Sequence, residues 1–106
     1  MLYLTPDEYC QGGTEFFRHK ATNTDHAPYT KEQLTAIGLT DFKQVWDDII
    51  MKDTNNPQSW QHLMTIPMKF NRLVLFRPWL YHNAGPSFGK SLADGRLIYP
   101  LFYQNV

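Results

Sequence analysis

The sequence is poor in the features that most directly announce a function. There is one cysteine, Cys10, in 106 residues, so neither an internal disulfide nor a cysteine-rich zinc site can form. Lys plus Arg equals Asp plus Glu at 10 each, and this zero balance removes the basic footprint of a nucleic-acid binder and the acidic excess of a solvating tail. No stretch approaches the ~20 apolar residues of a membrane span, and the start, MLYLTPDEY, has no basic region or apolar core of a signal peptide, so the expected compartment is the cytoplasm. A phosphate-binding glycine loop, His-Glu-x-x-His and a G-x-S-x-G elbow are all missing.

Metal-ligand pairs on β-scaffolds often sit one residue apart, because side chains at i and i+2 share a face. The four histidines are His19, His26, His62 and His82, and two residues after them stand Ala21, Pro28, Met64 and Ala84. None makes a His-x-His, His-x-Asp or His-x-Glu pair. Asp25 and His26 are adjacent, which puts them on opposite faces of an extended segment. Cys10 has only carboxylates, Asp7 and Glu8, as charged sequence neighbours, and reads as structural.

What is present is a packed domain, with 15% aromatic residues. One domain is expected over residues 1–106. Residues 1–18 read as a β-hairpin, with Gly12-Gly13 allowing a tight bend or a close backbone approach. Residues 30–53 read as a helical insertion. Thr30 with Gln33 is a capping-box pattern, Gly38 ends the first helix and Thr40 caps the second. Phe42, Val45, Trp46, Ile49 and Ile50 follow at helical spacing and predict one buried face. Residues 60–106 read as β, with Pro67 near an edge or bulge, residues 71–76 (NRLVLF) the clearest strand and residues 96–103 (RLIYPLFY) the last. The fold class is therefore mainly β with a helical insertion, α+β.

His82 follows one apolar run and Arg96 opens the next. A guanidinium there can be a surface charge or a fork for a carboxylate. Read together, residues 71–104, NRLVLFRPWLYHNAGPSFGKSLADGRLIYPLFYQ, resemble the C-terminal part of iron(II)/2-oxoglutarate-dependent oxygenases with a jelly-roll (double-stranded β-helix, cupin-like) core. The upstream MLYLTPDEYCQGGTEFF looks like that family's strand pair around Gly-Gly. The resemblance implies a partial jelly roll, His82 at the distal iron-ligand position and Arg96 at the position that pairs with the far carboxylate of 2-oxoglutarate. The family's His-x-Asp or His-x-Glu pair would lie just before residue 1, and this chain lacks it.

The expectation is a truncated oxygenase-like domain without turnover as this chain. Iron(II) and 2-oxoglutarate belong to the parent family, and neither is expected to be held tightly here, because one imidazole cannot fix the metal. Open strand edges predict a homodimer, with neither nucleic acid nor membrane as partner. The competing reading is a small dimeric cupin-like binding or structural module that has lost metal chemistry. A third is an unrelated α+β domain with His82 as a core residue.

Overall fold

The computed structural model describes residues 1–103; the last three positions expected in the final β region, 104–106, lie outside the described residues. Among the described residues five strands are formed: β1 (Leu2–Tyr3), β2 (Gly13–His19), β3 (Trp60–Pro67), β4 (His82–Asn83) and β5 (Ile98–Tyr99). Two helices, α1 (Lys31–Ala36) and α2 (Phe42–Val45), lie between β2 and β3, and α2 runs on into a π-helical turn, Trp46–Met51. The fold is mixed α+β, with two sheets.

The sheets are ordered β1-β5 and β3-β2-β4. β1 is antiparallel to β5 with Leu2 opposite Tyr99 and Tyr3 opposite Ile98, and Leu2 also bridges to Leu73 on its other side. The expected 1–18 hairpin therefore does not form. Both edges of β1 are occupied by residues from far along the chain, and Thr5 is bonded to Gly95 and Leu97, so residues 4–12 cross to the second sheet instead of folding back. Residues 71–76 are not the clearest strand either. They run beside β1 through Tyr3 N–H to Arg72 C=O, Asn71 N–H to Tyr3 C=O and Val74 N–H to Met1 C=O, but this yields one bridge and no ladder. A left-handed Asn71 (φ 65°) precedes it, a conformation Asn tolerates, and Arg77-Pro78 follows.

The helical segment matches its sequence signals with one shift. The Thr30 side chain accepts from Gln33 N–H, and Gly38 (φ +81°) follows α1. The second cap is Asp41, not Thr40: Asp41 accepts from Gln44 N–H, and the Gln44 side chain accepts from both Asp41 and Thr40 N–H. Val45 and Ile49 are buried as expected and Ile50 packs beside them, but Phe42 and Trp46 are exposed. The π turn explains this. Its i→i+5 bonding adds a residue to the turn, so Val45, Ile49 and Asp53 stack at steps of four while Trp46 swings outward.

The chain divides into two compact units. One holds Met1–Glu15, Thr65–Phe76 and the described residues from Asn83 to Tyr103; the other holds Phe16–Met64 and Arg77–His82. The first has a core of Tyr3, Met68 and Val74, flanked by Ile66, Phe76, Phe88 and Ile98. The second has a core of Leu34, Val45, Ile49 and Tyr81, flanked by Phe17, Ile50 and Trp60. Burying a side chain such as Leu34 contributes about 1.5–3 kcal/mol. Among the described residues no helix is long and apolar enough to cross a membrane.

Candidate functional site

His82 opens β4 in the second unit and is exposed, so it is not the core histidine that an unrelated-domain reading would require. Its Nδ1 lies 2.6 Å from the Leu80 carbonyl oxygen. A carbonyl only accepts, so Nδ1 carries the proton and donates it. In the neutral ring Nε2 then holds the lone pair, the arrangement usual for a ligating imidazole. The Phe16 ring lies 6.2 Å away and limits how the imidazole can turn.

Arg96 stands just before β5 in the first unit. The local chain is held on both sides of it. Buried Thr5 donates its hydroxyl to Gly95 C=O (2.9 Å) and accepts from Leu97 N–H (2.8 Å), and Leu4 N–H donates to Leu97 C=O. The preceding loop closes on Asp94, whose Oδ1 accepts from Lys90 N–H, Ser91 N–H and the Ser91 hydroxyl. Those bonds hold the Asp94 carboxyl below its ordinary range, the Ser91 and Lys90 amides contributing most. Arg96 itself is half-buried, and its Nε is a buried donor with no hydrogen-bond partner. A buried donor left unpaired costs about 1–3 kcal/mol, more when it belongs to a charged group.

The core histidine is His19, at the end of β2 and 2% exposed. Its Nε2 is 2.7 Å from Asp53 Oδ2 and its Nδ1 is 2.9 Å from Thr22 Oγ1, which in turn meets Thr24 Oγ1. Trp60 donates its indole N–H to Asp53 C=O and sets its ring 4.7 Å from the His19 ring. The bond from His19, then the Ser59 hydroxyl and the positive charges of His19 and Lys52, hold the Asp53 carboxyl below its ordinary value despite partial desolvation. Histidine and aspartate stand 34 positions apart, so no spacing signal in the sequence announces this pair.

The adjacent pair Asp25 and His26 departs from its expected placement on opposite faces. Asp25 and His26 meet, with Oδ1 to Nδ1 at 2.7 Å, because the segment turns there instead of staying extended. Beside them Tyr29 and Trp79 stack at 4.5 Å, with the Arg77 guanidinium 5.5 Å from the Trp79 ring centroid. The Cys10 thiol is bonded to Thr5 C=O and pushed up by desolvation and by the Asp7 charge, which disfavours the reactive thiolate.

A family of unknown function, DUF6445, matches residues 1–103. The chain belongs to that family. No curated protein and no solved structure matches it. Membership in DUF6445 names no reaction.

Among the described residues no group of three or more His, Cys, Asp or Glu side chains is placed to hold a metal ion. His82 brings one imidazole nitrogen, which does not fit a facial triad of two histidines and a carboxylate. The described residues of this DUF6445 chain therefore do not fit iron(II).

Proposed function

We propose that this chain is an oxygenase-like partial jelly roll in which Arg96 binds the carboxylate of a 2-oxo or dicarboxylic acid, and which does not turn over 2-oxoglutarate by itself. The observation that carries the reading is the buried, unpartnered Nε of Arg96, which stands just before β5 between Gly95 and Leu97, both bonded to Thr5. The topology supports it. A jelly roll distributes about eight strands over two sheets. Here the chain enters the first sheet with β1, makes β2 and β3 in the second, returns alongside β1 with residues 71–76, then adds β4 to the second and β5 to the first. The second sheet thus has three strands and the first two, with residues 71–76 beside β1 through a single bridge.

The chemistry of this chain is recognition. Arg96 supplies a fixed cation and a donor, and Thr5 positions it from buried bonds to its two neighbours. His82 occupies the distal-ligand position with Nδ1 tied to Leu80, and no reaction step passes through it here. The companion reading is a small dimeric cupin-like binding or structural module that has lost metal chemistry, and both readings share the anion site.

Calorimetric titration of 2-oxoglutarate into the wild-type chain and into Arg96→Gln, both without metal, tests the proposal. Weak binding that Arg96→Gln abolishes is expected. Equal isotherms for the two would refute the role of Arg96. Succinate released from 2-oxoglutarate by this chain with added iron(II) would refute the claim that it does not turn over.

A further inference from the structure

The second unit holds a line of hydrogen-bonded polar groups that the anion site does not use, and every member lies within that unit. His19 and Asp53 are both buried and meet through Nε2 and Oδ2 at 2.7 Å, and Nδ1 of the same ring lies 2.9 Å from the Thr22 hydroxyl oxygen. The protons can be assigned. The Asp53 carboxyl is held below its ordinary range, first by the bond from His19, so near neutral pH it is ionised and only accepts. Nε2 therefore donates to it. In the neutral ring the lone pair is then on Nδ1, and the Thr22 hydroxyl donates to that nitrogen. Thr22 Oγ1 also lies 2.9 Å from Thr24 Oγ1 and, with its own proton given to His19, accepts there.

Carboxylate, imidazole and hydroxyl, each within hydrogen-bond reach of the next, are the parts of an activated nucleophile. Such a set is recognised by geometry and roles, not by chain order. The surroundings suit the task. Trp60 donates to Asp53 C=O and sets its ring 4.7 Å from the His19 ring, which fixes the imidazole. Acid and base are sealed from solvent, whereas Thr22 is half-buried in the turn 20–23, between exposed Ala21 and Asn23. In that turn the N–H groups of Lys20, Asn23 and Thr24 donate to the carbonyls of Ser59, Lys20 and His19. The N–H groups of Ala21 and Thr22 are left with no backbone acceptor among the described residues. Open amides beside a reacting hydroxyl are what an oxyanion requires.

We infer that Thr22, His19 and Asp53 form an acyl-transfer site for small activated carboxylic esters, with Thr22 as nucleophile, His19 as base and Asp53 as the positioning residue. Flanked by exposed residues, the hydroxyl is reached from solvent, and the branched Cβ of threonine crowds Oγ1 and favours an acyl group of acetyl size. Thr22 Oγ1 forms a bond to the acyl carbon while its proton passes to His19 Nδ1, and the Asp53 carboxylate stabilises the imidazolium. The ester C–O bond breaks and the leaving oxygen takes that proton. Water then attacks the acyl-threonine and gives a proton to Nδ1; the carboxylic acid departs and that proton returns to Thr22 Oγ1. Nothing is oxidised or reduced, and water is the co-reactant. Arg96 has no part in these steps, so this inference and the anion site fail independently.

The full chain with p-nitrophenyl acetate at mildly alkaline pH tests it. A burst of p-nitrophenolate is expected, and tandem mass spectrometry after an acid quench is expected to find acetyl on Thr22. Thr22→Val keeps the side-chain shape and should slow the burst at least about a hundredfold, the low end of what general-base catalysis supplies, while Thr22→Ser keeps it. Acetyl found only on lysines and other histidines would overturn the inference, as would a Thr22→Val burst equal to the wild type. Nitrogen-15 spectroscopy of the wild-type His19 ring needs no variant that must fold. The neutral ring is expected to carry its proton on Nε2; a proton on Nδ1 would leave no lone pair towards Thr22 and would overturn the inference. Asp53→Asn should disturb that tautomer and slow the burst together, and a slowed burst with the tautomer unchanged would overturn the positioning role.

Discussion

Removing a single oxygen from Tyr3 should be among the costliest conservative changes in the molecule. Tyr3 is fully buried at the centre of the first core. Its hydroxyl meets Thr14 Oγ1 at 2.6 Å, accepts from Thr14 N–H at 3.0 Å and donates towards Ile66 C=O at 3.2 Å. One side chain on β1 thereby holds the starts of β2 and the end of β3. Tyr3→Phe keeps the ring and its packing but strands the amide of Thr14, which is 1% exposed, and removes a donor from the oxygens beside it. At about 1–3 kcal/mol for each buried group left unpaired, two such groups put the loss at about 2–6 kcal/mol. That is a large share of a total stability of roughly 5–15 kcal/mol. Urea unfolding of wild type and variant at one fixed protein concentration measures it, the concentration being held because association shifts apparent stability. A double cycle with Thr14→Val should show coupling above about 0.5 kcal/mol. A loss in Tyr3→Phe below about 0.5 kcal/mol would refute the idea that this hydroxyl joins the strands.

Two further outcomes follow from the same geometry. A Cβ at Gly13 would fall on the carbonyl of Ile66, whereas one at Gly38 meets open space, so Gly13→Ala should prevent folding or cost well over the ~1 kcal/mol expected for the left-handed backbone at Gly38→Ala; equal urea midpoints for the two would contradict this. The Asp53 carboxyl is held below its ordinary 3.8, so its contribution is fully present above that value and is lost as pH falls through the lower folded value; Asp53→Asn should therefore flatten the acid limb of the stability–pH curve, and a limb parallel to the wild type would exclude the His19 pairing as its source.

The parts legible in the sequence were those set by neighbours. Thr30, Gln33 and Gly38 bound α1 through contacts within a few residues, and Trp60–Pro67 is a strand with its proline at the end. Gly12-Gly13 marks a close backbone approach, which the crowding of Gly13 by Ile66 makes concrete. What stayed hidden was set by distant partners. β1 pairs with residues some 97 positions away, so its apolar character could not tell a hairpin from a crossover. Trp46 looked buried because a 3.6-residue period was assumed where the chain takes a π turn. The apolar segment 71–76 kept its extended shape but has only part of a ladder to join. At the candidate site, Arg96 could be singled out as an arginine opening an apolar run, while its orphan Nε depends on how Thr5 and the Asp94 loop fix the backbone around it.

The most direct test of the anion site is the Nε–H resonance of Arg96 in a nitrogen-15 spectrum, followed as 2-oxoglutarate is added to the metal-free chain. The account predicts that this one guanidinium signal moves and saturates while those of Arg18, Arg72 and Arg77 stay in place. An Arg96 signal that does not move, or that moves together with the others, would contradict it.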